Sequence, residues 1–257
     1  MEENKNFWVQ RVERYGHTGW ADAAIYAFDQ PIRLNLVRML VEKYLMKAKD
    51  SSALLDFGCG TGEFSNQIKD LFGKSVLYDP CKEVLDMARI HAIKNATFLS
   101  EKKSLCELNL QYNVILSITV LQHIMDDMEL KETLAMLVDS LAEDGVFIIM
   151  ESFMENLNSD YERAWNFEQF DHYMTEAGLV LQEAYDFYHP TEDDIPGFKS
   201  YYQRDDVKEL KKMCSKDRPE VFEKMKEIAR KYNSDTEEFI SSFSKKDGSK
   251  FMVYKKK

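Results

Sequence analysis

Apolar residues recur at helical spacing along residues 4–48, with one break near residues 16–20. The first predicted helix places Phe7, Val9, Val12 and Tyr15 on one side. The second carries a longer apolar stripe, made of Ile32, Leu34, Leu36, Val37, Leu40, Val41 and Leu45. These stripes predict a helical N-terminal unit with a loop between its two helices.

The pattern changes at Ala53 to short apolar runs separated by longer amphipathic stretches. Such an alternation is typical of β-α-β units and predicts a parallel sheet with helices on its faces. We predict strands near residues 53–57, 75–79, 96–100, 112–118, 145–151, 179–188 and 251–254. Helices are predicted at about 62–72, 80–93, 126–142 and 160–177, with Asp126 as an N-cap and Gly145 and Gly178 as breaks before strands.

The last two predicted strands are separated by about 60 residues, too many for a bare hairpin loop. An amphipathic helix is predicted there after Pro219, with an apolar face formed by Val221, Phe222, Met225, Ile228, Ala229 and Tyr232. The segment between these strands is therefore a helical insertion.

Composition and charge narrow the classes of partner. The 257 residues are 44% hydrophobic and 31% charged, as in ordinary globular proteins, and no apolar run reaches the roughly 18 residues of a membrane span. A net charge of −11 disfavours a nucleic-acid partner. The first residues lack a secretory signal and the four cysteines form no C-x-x-C pair, so we predict a cytoplasmic protein without a zinc or disulfide scaffold. A monomer and a homodimer both fit this composition.

A glycine-rich loop, Asp56-Phe57-Gly58-Cys59-Gly60-Thr61-Gly62, follows the first strand and opens a helix. Glycines allow positive φ angles and let a ligand approach the backbone closely. The spacing D-x-G-x-G-x-G differs from the dinucleotide and phosphate-loop patterns, and it suits a ligand with a cationic amino-acid end and no pyrophosphate. Asp79 ends the second strand, where a carboxylate can accept hydrogen bonds from both hydroxyls of a ribose. A simple N-cap for the next helix is the alternative for Asp79.

These motifs resemble those of the class I S-adenosylmethionine-dependent methyltransferases, over about residues 50–190. Segments 112–124 and 141–149 are similar to the family's fourth-strand motif and to the turn into its fifth strand, although Asn113 stands where many relatives have aspartate. The resemblance implies an α/β fold with a Rossmann-like, seven-stranded, mostly parallel sheet of order 3-2-1-4-5-7-6, whose last strand is antiparallel. It also implies S-adenosylmethionine as the cofactor. The stretch His17–Asp22 with Tyr26 is similar to bacterial methyltransferases associated with surface polysaccharides.

By this resemblance the chain divides into a helical cap at 1–48, a Rossmann-like domain at 49–188 and 250–257, and a helical insertion or cap at 189–249. Asp56, Gly58 and Gly60 would line the methionyl end of the cofactor, Asp79 the ribose, and Ser100, Glu101 and Lys102 the adenine. The remaining residues predicted at the cofactor are Cys59, Gly62, Pro80, Ser117, Trp20 and Tyr26. Trp20 and Tyr26 are predicted there because an aromatic face favours a sulfonium as it favours other cations; ordinary helix packing is their alternative.

Two residues after the strands are candidates for catalysis. His123 follows the fourth strand and would take a proton from an acceptor hydroxyl, or else bond to backbone and shape the pocket floor. Glu151 ends the fifth strand and would hold an acceptor hydroxyl or ammonium, with a structural ion pair as the alternative. No metal site is predicted, since the histidines lack ligand spacing and Ser117 stands where catechol-type relatives carry a metal-binding acid.

The predicted function is methyl transfer to a small molecule, with oxygen of a sugar, nucleotide-linked sugar or related, possibly phosphate-bearing, metabolite as the acceptor. Nitrogen or carbon methylation of a small molecule is an alternative, and so is a regulatory protein that binds S-adenosylmethionine without turnover. We also predict that the N-terminal segment and the insertion together cover the active site and select the acceptor. An external prop or a dimer contact is the other interpretation of the insertion.

Overall fold

The fold is a central sheet with helices on both faces, seen in a computed structural model that describes residues 2–90, 96–190 and 193–257. The helices are α1 (Glu2–Tyr15), α2 (Ala23–Tyr44), α3 (Glu63–Ile68), α4 (Lys82–Ile90), α5 (Lys102–Glu107), α6 (Asp127–Ser140), α7 (Phe167–Glu176), α8 (Pro196–Tyr202), α9 (Asp205–Met213) and α10 (Pro219–Ala229). The strands are β1 (Ala53–Phe57), β2 (Lys74–Tyr78), β3 (Ala96–Leu99), β4 (Tyr112–Ile118), β5 (Leu141–Phe153), β6 (Leu179–Phe187), β7 (Ile240–Ser242) and β8 (Gly248–Lys256). Single 3₁₀ turns lie at Lys49–Ser51, Lys69–Leu71, Leu121–His123 and Thr236–Phe239.

The sheet of the described residues has eight strands in the order β3-β2-β1-β4-β5-β8-β6-β7. Strands β1 to β5 run parallel, and β8 lies antiparallel between β5 and β6. The α/β class and the predicted order of seven strands are confirmed. The exact strand number was wrong by one, because the three-residue β7 at the edge is too short to produce an alternating pattern.

Apolar residues of the strands supply two cores, one on each face of the sheet. All five residues of β1 are buried, as expected for a parallel strand that is covered on both faces. One core joins the sheet to α2 and to the helices of the insertion, through residues such as Phe28 and Met225. The other joins it to α6 and α7, through residues such as Leu134 and Phe170.

Several predicted boundaries shift because of local hydrogen bonds. Helix α7 begins at Phe167 and not near 160, because Asn166 and Gln169 form a capping box there. Gly145 lies inside β5, which starts at Leu141 and has an irregular register at this point. The predicted helix over 80–93 is found to Ile90, and residues 91–93 lie outside the described residues.

The insertion packs on the N-terminal helices. Asp22 caps α2 and also accepts hydrogen bonds from the Tyr202 hydroxyl, at 2.7 Å, and from the Lys211 ammonium. The Asn233 side-chain amide donates to the Phe28 carbonyl at 2.5 Å. The amphipathic helix predicted after Pro219 is confirmed as α10, although Tyr232 lies beyond its end. Among the described helices, none combines the length and apolarity that a bilayer crossing requires.

The imidazole of His17 is buried where the N-terminal loop meets α2 and α10. It stacks on Tyr26 with ring centroids 3.6 Å apart, and Phe222 lies beside both rings. Its Nδ1 has no hydrogen-bond partner among the residues that the structure describes. Burial, helped by the nearby cations Arg11 and Lys226, lowers the pKa of His17 from 6.5 to about 3.

His17 should therefore make the fold sensitive to acid. A depressed pKa means that the contribution of His17 is complete above its unfolded pKa, and it is lost as the pH falls from about 6.5 toward 3. Between pH 7 and pH 5 this loss is about 2 kcal/mol. We expect the free energy of unfolding of His17→Phe, measured in urea, to fall between pH 7 and pH 5 by about 2 kcal/mol less than that of the wild type. The exposed His172→Phe serves as the control, and an equal loss in His17→Phe and wild type would contradict the assignment.

Candidate active site

A cavity of about 550 Å³ opens at the carboxyl ends of β1, β2 and β4. This volume lies in the range of small-molecule sites, and open α/β sheets bind ligands at this edge. Its apolar and aromatic walls come from Trp8, Phe57, Tyr78, Pro80, Cys81, Val84, Ile118, Val120 and Ile124. Its remaining wall is formed by Thr18, Gly58, Gly60, Asp79, Lys102, Thr119, His123 and Glu129.

The glycine loop adopts the conformation that its sequence predicts. Gly58, Gly60 and Gly62 have φ angles of 77°, 54° and 77°. A Cβ atom on Gly58 would lie 2.4 Å from Val120 Cγ2, and one on Gly60 would lie 2.5 Å from the Thr18 hydroxyl oxygen. Gly58 therefore lets the loop pack against Val120, and Gly60 lets it pack against Thr18, two residues of the cavity wall. A side chain at either glycine would push the loop and its neighbour apart.

Asp79 ties this loop to the start of α4. Its Oδ2 accepts a hydrogen bond from the Gly60 N–H at 3.0 Å, and its Oδ1 accepts one from the Cys81 N–H at 2.9 Å. A carboxylate has about four acceptor positions, and these two N–H bonds occupy two of them. The capping and ligand-binding interpretations of Asp79 are thus compatible.

Asp56 lies beneath the loop and outside the cavity wall. It is 2% exposed and accepts a hydrogen bond from the Ser65 hydroxyl at 2.6 Å. Burial raises the pKa of Asp56 to about 6. The geometry gives Asp56 a supporting position under the loop, in contrast to the predicted direct contact.

Of the three residues predicted for the adenine end, Lys102 lines the cavity, whereas Ser100 and Glu101 do not. The Lys102 ammonium donates to Glu129 Oε1 at 2.7 Å and to the Thr133 hydroxyl at 2.9 Å. Helix α6 thereby contributes Glu129 to this wall, which the local sequence did not indicate.

Other predicted residues also lie away from the cavity wall, namely Cys59, Gly62, Ser117, Trp20 and Tyr26. The Trp20 indole N–H donates to Asp29 at 2.7 Å, and the Tyr26 hydroxyl donates to Glu63, so both rings belong to the packing around α2. The predicted aromatic roof is therefore misplaced. The structure puts Trp8 of α1 at the cavity, because α1 packs against α4.

His123 lines the cavity, and one of its ring nitrogens is bonded to the backbone. Its Nδ1 lies 2.8 Å from the Tyr161 carbonyl oxygen, which can only accept, so Nδ1 carries the proton. In the neutral ring Nε2 is then the unprotonated nitrogen. Burial lowers the pKa of His123 below its usual value, and this keeps the ring neutral at pH 7. The Trp8 indole packs edge-on against the imidazole, with centroids 5.3 Å apart.

Glu151 is fully buried and does not line the cavity. Its carboxylate accepts three consecutive backbone N–H groups, those of Val120, Leu121 and Gln122, at 3.1, 2.9 and 3.1 Å. Burial raises the pKa of Glu151, while the three N–H donors favour its charged form. Because N–H groups face both oxygens, the geometry is that of a carboxylate. The predicted contact of Glu151 with an acceptor group is wrong in this geometry, since both oxygens are directed at the backbone.

Thr119 was missed by the sequence analysis. It lines the cavity at the end of β4 with a φ of 56°, which is rare for a β-branched residue. Its N–H donates to the Met150 carbonyl at 2.7 Å, and this bond holds the strained turn that leads to His123. Strain of this kind is common at functional sites. No group of metal-ligating side chains occurs within the described ranges 2–90, 96–190 and 193–257.

Comparison with known proteins decides the family. A family model described as a methyltransferase domain matches residues 30–193. The chain belongs to the methyltransferase domain family. Its fold is shared by an S-adenosylmethionine-dependent methyltransferase from Clostridium acetobutylicum, at a TM-score of 0.58 and 14% identity, over 88% of this chain and 92% of that one.

Two curated relatives match about half of this chain. The chain is 29% identical to a malonyl-[acyl-carrier protein] O-methyltransferase from Bacillus anthracis, over 51% of this chain and 49% of that protein. It is 25% identical to a ubiquinone biosynthesis O-methyltransferase from Shewanella halifaxensis, over 51% of this chain and 54% of that protein. The chain thus spans about half the length of these relatives. The likeness to polysaccharide-associated enzymes stays a prediction.

The cavity fits S-adenosylmethionine. Two glycines with positive φ bring the loop backbone to its wall, Asp79 offers carboxylate oxygens beside the loop, and aromatic rings border the remaining space. We expect Asp79→Ala to weaken binding of S-adenosylhomocysteine about 10- to 100-fold, because it removes the predicted ribose acceptor and the tie to Gly60. Titration calorimetry measures this change. Asp79→Asn keeps one acceptor and should lose less; equal affinity in Asp79→Ala and wild type would place the ribose elsewhere.

Proposed function

We propose that this methyltransferase transfers a methyl group from S-adenosylmethionine to a hydroxyl oxygen of a small-molecule acceptor. The observation that carries the proposal is His123, whose Nδ1–H is bonded to a backbone carbonyl and whose Nε2 is left as a base beside the cavity. Two relatives at 29% and 25% identity are O-methyltransferases by name, which also supports oxygen as the acceptor atom.

The protein's contribution is binding, alignment and removal of one proton. S-adenosylmethionine supplies a methyl group on a positively charged sulfur when it is bound. The loop glycines and Asp79 would hold its amino-acid and ribose parts, and Lys102 and Pro80, which line the cavity, would enclose the adenine. His123 Nε2 accepts the proton of the acceptor hydroxyl, and Trp8 and Ile124 shield this point from water.

A hydroxyl-rich acceptor such as a sugar, a nucleotide-linked sugar or a related metabolite is the class we favour. The hydroxyls of Thr18 and Thr119 and the carboxylate of Glu129 lie among apolar walls, as a polar ligand with a few oriented groups requires. Nitrogen or carbon methylation and cofactor binding without turnover are the alternatives.

The test is incubation of the chain with methyl-labelled S-adenosylmethionine and a small-molecule extract, followed by identification of the labelled product. A methyl ether supports the proposal, and a labelled product methylated on nitrogen or carbon overturns it. Volatile methanol released by mild alkali would identify a carboxyl ester, an acceptor that needs no base. Retained cofactor binding with no labelled product from any fraction would instead support the binding-protein alternative. A variant with a blocked glycine loop, Gly58→Ala, is the control for label that arises without the cavity.

A further inference from the structure

We propose that Glu151 is a positioning residue, which fixes the turn that carries His123 and so directs the His123 Nε2 into the cavity. The proposal rests on the proposed function of His123 as the base. The Glu151 carboxylate is buried and touches neither the cavity nor a ligand, and it takes part in the same reaction through the position of this turn.

The contact between Glu151 and the turn is unusually complete. One carboxylate oxygen accepts the N–H groups of Val120 and Leu121, and the other accepts that of Gln122. Val120 precedes the 3₁₀ turn Leu121–His123, and Leu121 and Gln122 are the first two residues of that turn. The N–H groups at the start of such a turn have no acceptor within it. The Glu151 side chain therefore determines where this turn begins and how it is oriented.

A second set of bonds fixes the turn from the opposite side. The Gln122 side-chain oxygen accepts the Ser152 N–H at 3.1 Å, and the Gln122 carbonyl accepts the Arg163 N–H at 2.8 Å. The Tyr161 carbonyl accepts the His123 Nδ1–H. Because these bonds hold both the ring and the backbone of His123, the imidazole can keep Nε2 toward the cavity when no methyl acceptor is bound.

A carboxylate suits this place because it is acceptor-only, whereas an amide also carries two N–H donors. In Glu151→Gln the amide oxygen can satisfy Val120 and Leu121, but its NH₂ group then faces the Gln122 N–H. Two donors in contact repel each other, so this end of the turn should move. A misplacement of about 1 Å in a reacting group lowers a rate by about 10²-fold.

The first measurement is the tautomer and titration of His123 by long-range ¹H–¹⁵N NMR of protein labelled on its five histidines. The His123 signals are assigned from their absence in His123→Gln. In the wild type we expect an Nδ1–H, Nε2-bare ring with a pKa below the usual value. In Glu151→Gln we expect a mixture of tautomers and a pKa shifted back toward the usual value.

The second measurement is the rate of methyl transfer, for which we expect a loss of about 10²-fold in kcat/KM for the acceptor with cofactor affinity within about twofold of wild type. Glu151→Asp keeps the charge, but its side chain is shorter by one methylene, so the carboxylate lies farther from the N–H groups of the turn. It should shift the His123 signals in the same direction by less, and it replaces the glutamine variant if that variant does not fold.

Asp186→Asn is the matched control. Asp186 also accepts three hydrogen bonds, from the Lys250 ammonium and from the Ser244 N–H and hydroxyl, and it lies on β6 away from the cavity. It should lower stability without moving the His123 signals or the cofactor affinity. If Glu151→Gln leaves the His123 tautomer and pKa as they are in Asp186→Asn, the proposal is overturned. A normal rate in His123→Gln would instead overturn the assignment of His123 as the base. The NMR result does not depend on that assignment, so the two failures can be told apart.

Discussion

Replacement of His123 by glutamine should slow methyl transfer by about 10²- to 10⁴-fold while the affinity for S-adenosylhomocysteine stays near that of the wild type. The rate falls because Nε2, the only imidazole nitrogen left bare by the Tyr161 carbonyl, would no longer accept the hydroxyl proton. The affinity remains because the glycine loop and Asp79 are untouched. Single-turnover rates with saturating cofactor, together with titration calorimetry, separate these two effects.

The pH profile gives an independent check of His123. Burial lowers its pKa, so the ring is already neutral at pH 7 and the wild-type rate should not rise further in alkali. The rate should fall only when the pH passes below the ordinary histidine range, as the ring gains a proton. His172→Gln, which changes an exposed histidine paired with Glu176, should leave both rate and profile unchanged. A normal rate in His123→Gln would show that the acceptor needs no base.

Gly58→Ala should abolish measurable cofactor binding and lower the free energy of unfolding by about 2–5 kcal/mol. Two effects add at this position. The φ of 77° is costly for any L-residue with a side chain, and the new methyl would lie 2.4 Å from Val120 Cγ2. Relief of that overlap requires the loop or the Val120 side chain to move, and both form the cavity wall. Urea unfolding and calorimetry with S-adenosylhomocysteine measure the two losses.

Gly178 supplies a matched control for the backbone part of this effect. Its φ is 93°, and a Cβ there would meet no atom of the described residues within 4 Å, so Gly178→Ala should lose only about 1–2 kcal/mol and keep full cofactor binding. The double variant Gly58→Ala with Val120→Ala removes the overlap and should recover part of the lost affinity. If Gly58→Ala behaves like Gly178→Ala, the close approach of loop and wall has no part in binding.

The elements that the sequence predicted well are those determined by local pattern. The apolar runs of β1 and β4 and the glycine spacing each contain the information for their own conformation, since strand burial and positive φ follow from residues next to one another. Asp79 lines the cavity for the same reason, because it directly follows β2, and its contact with a ribose stays a prediction.

The misplaced residues depend on packing between distant segments. Trp20 and Tyr26 have the same aromatic character as Trp8, but only the docking of α1 on α4 decides which ring reaches the cavity. Glu151 was assigned to the acceptor because it ends a central strand. Its side chain instead meets the N–H groups of a turn 30 residues earlier, a contact that no local spacing reveals.

The location of β8 has a consequence for how the chain is made. This strand follows all the others in the described sequence, yet it lies inside the sheet between β5 and β6. It contributes Phe251 and Val253 to one core and Met252 and Tyr254 to the other. While the chain is still emerging from the ribosome, β5 and β6 each keep an open edge, and open edges pair readily with other chains. Closure of both cores must therefore wait for translation of residues 248–256, and a chain stalled before them would be a target for chaperones and for aggregation.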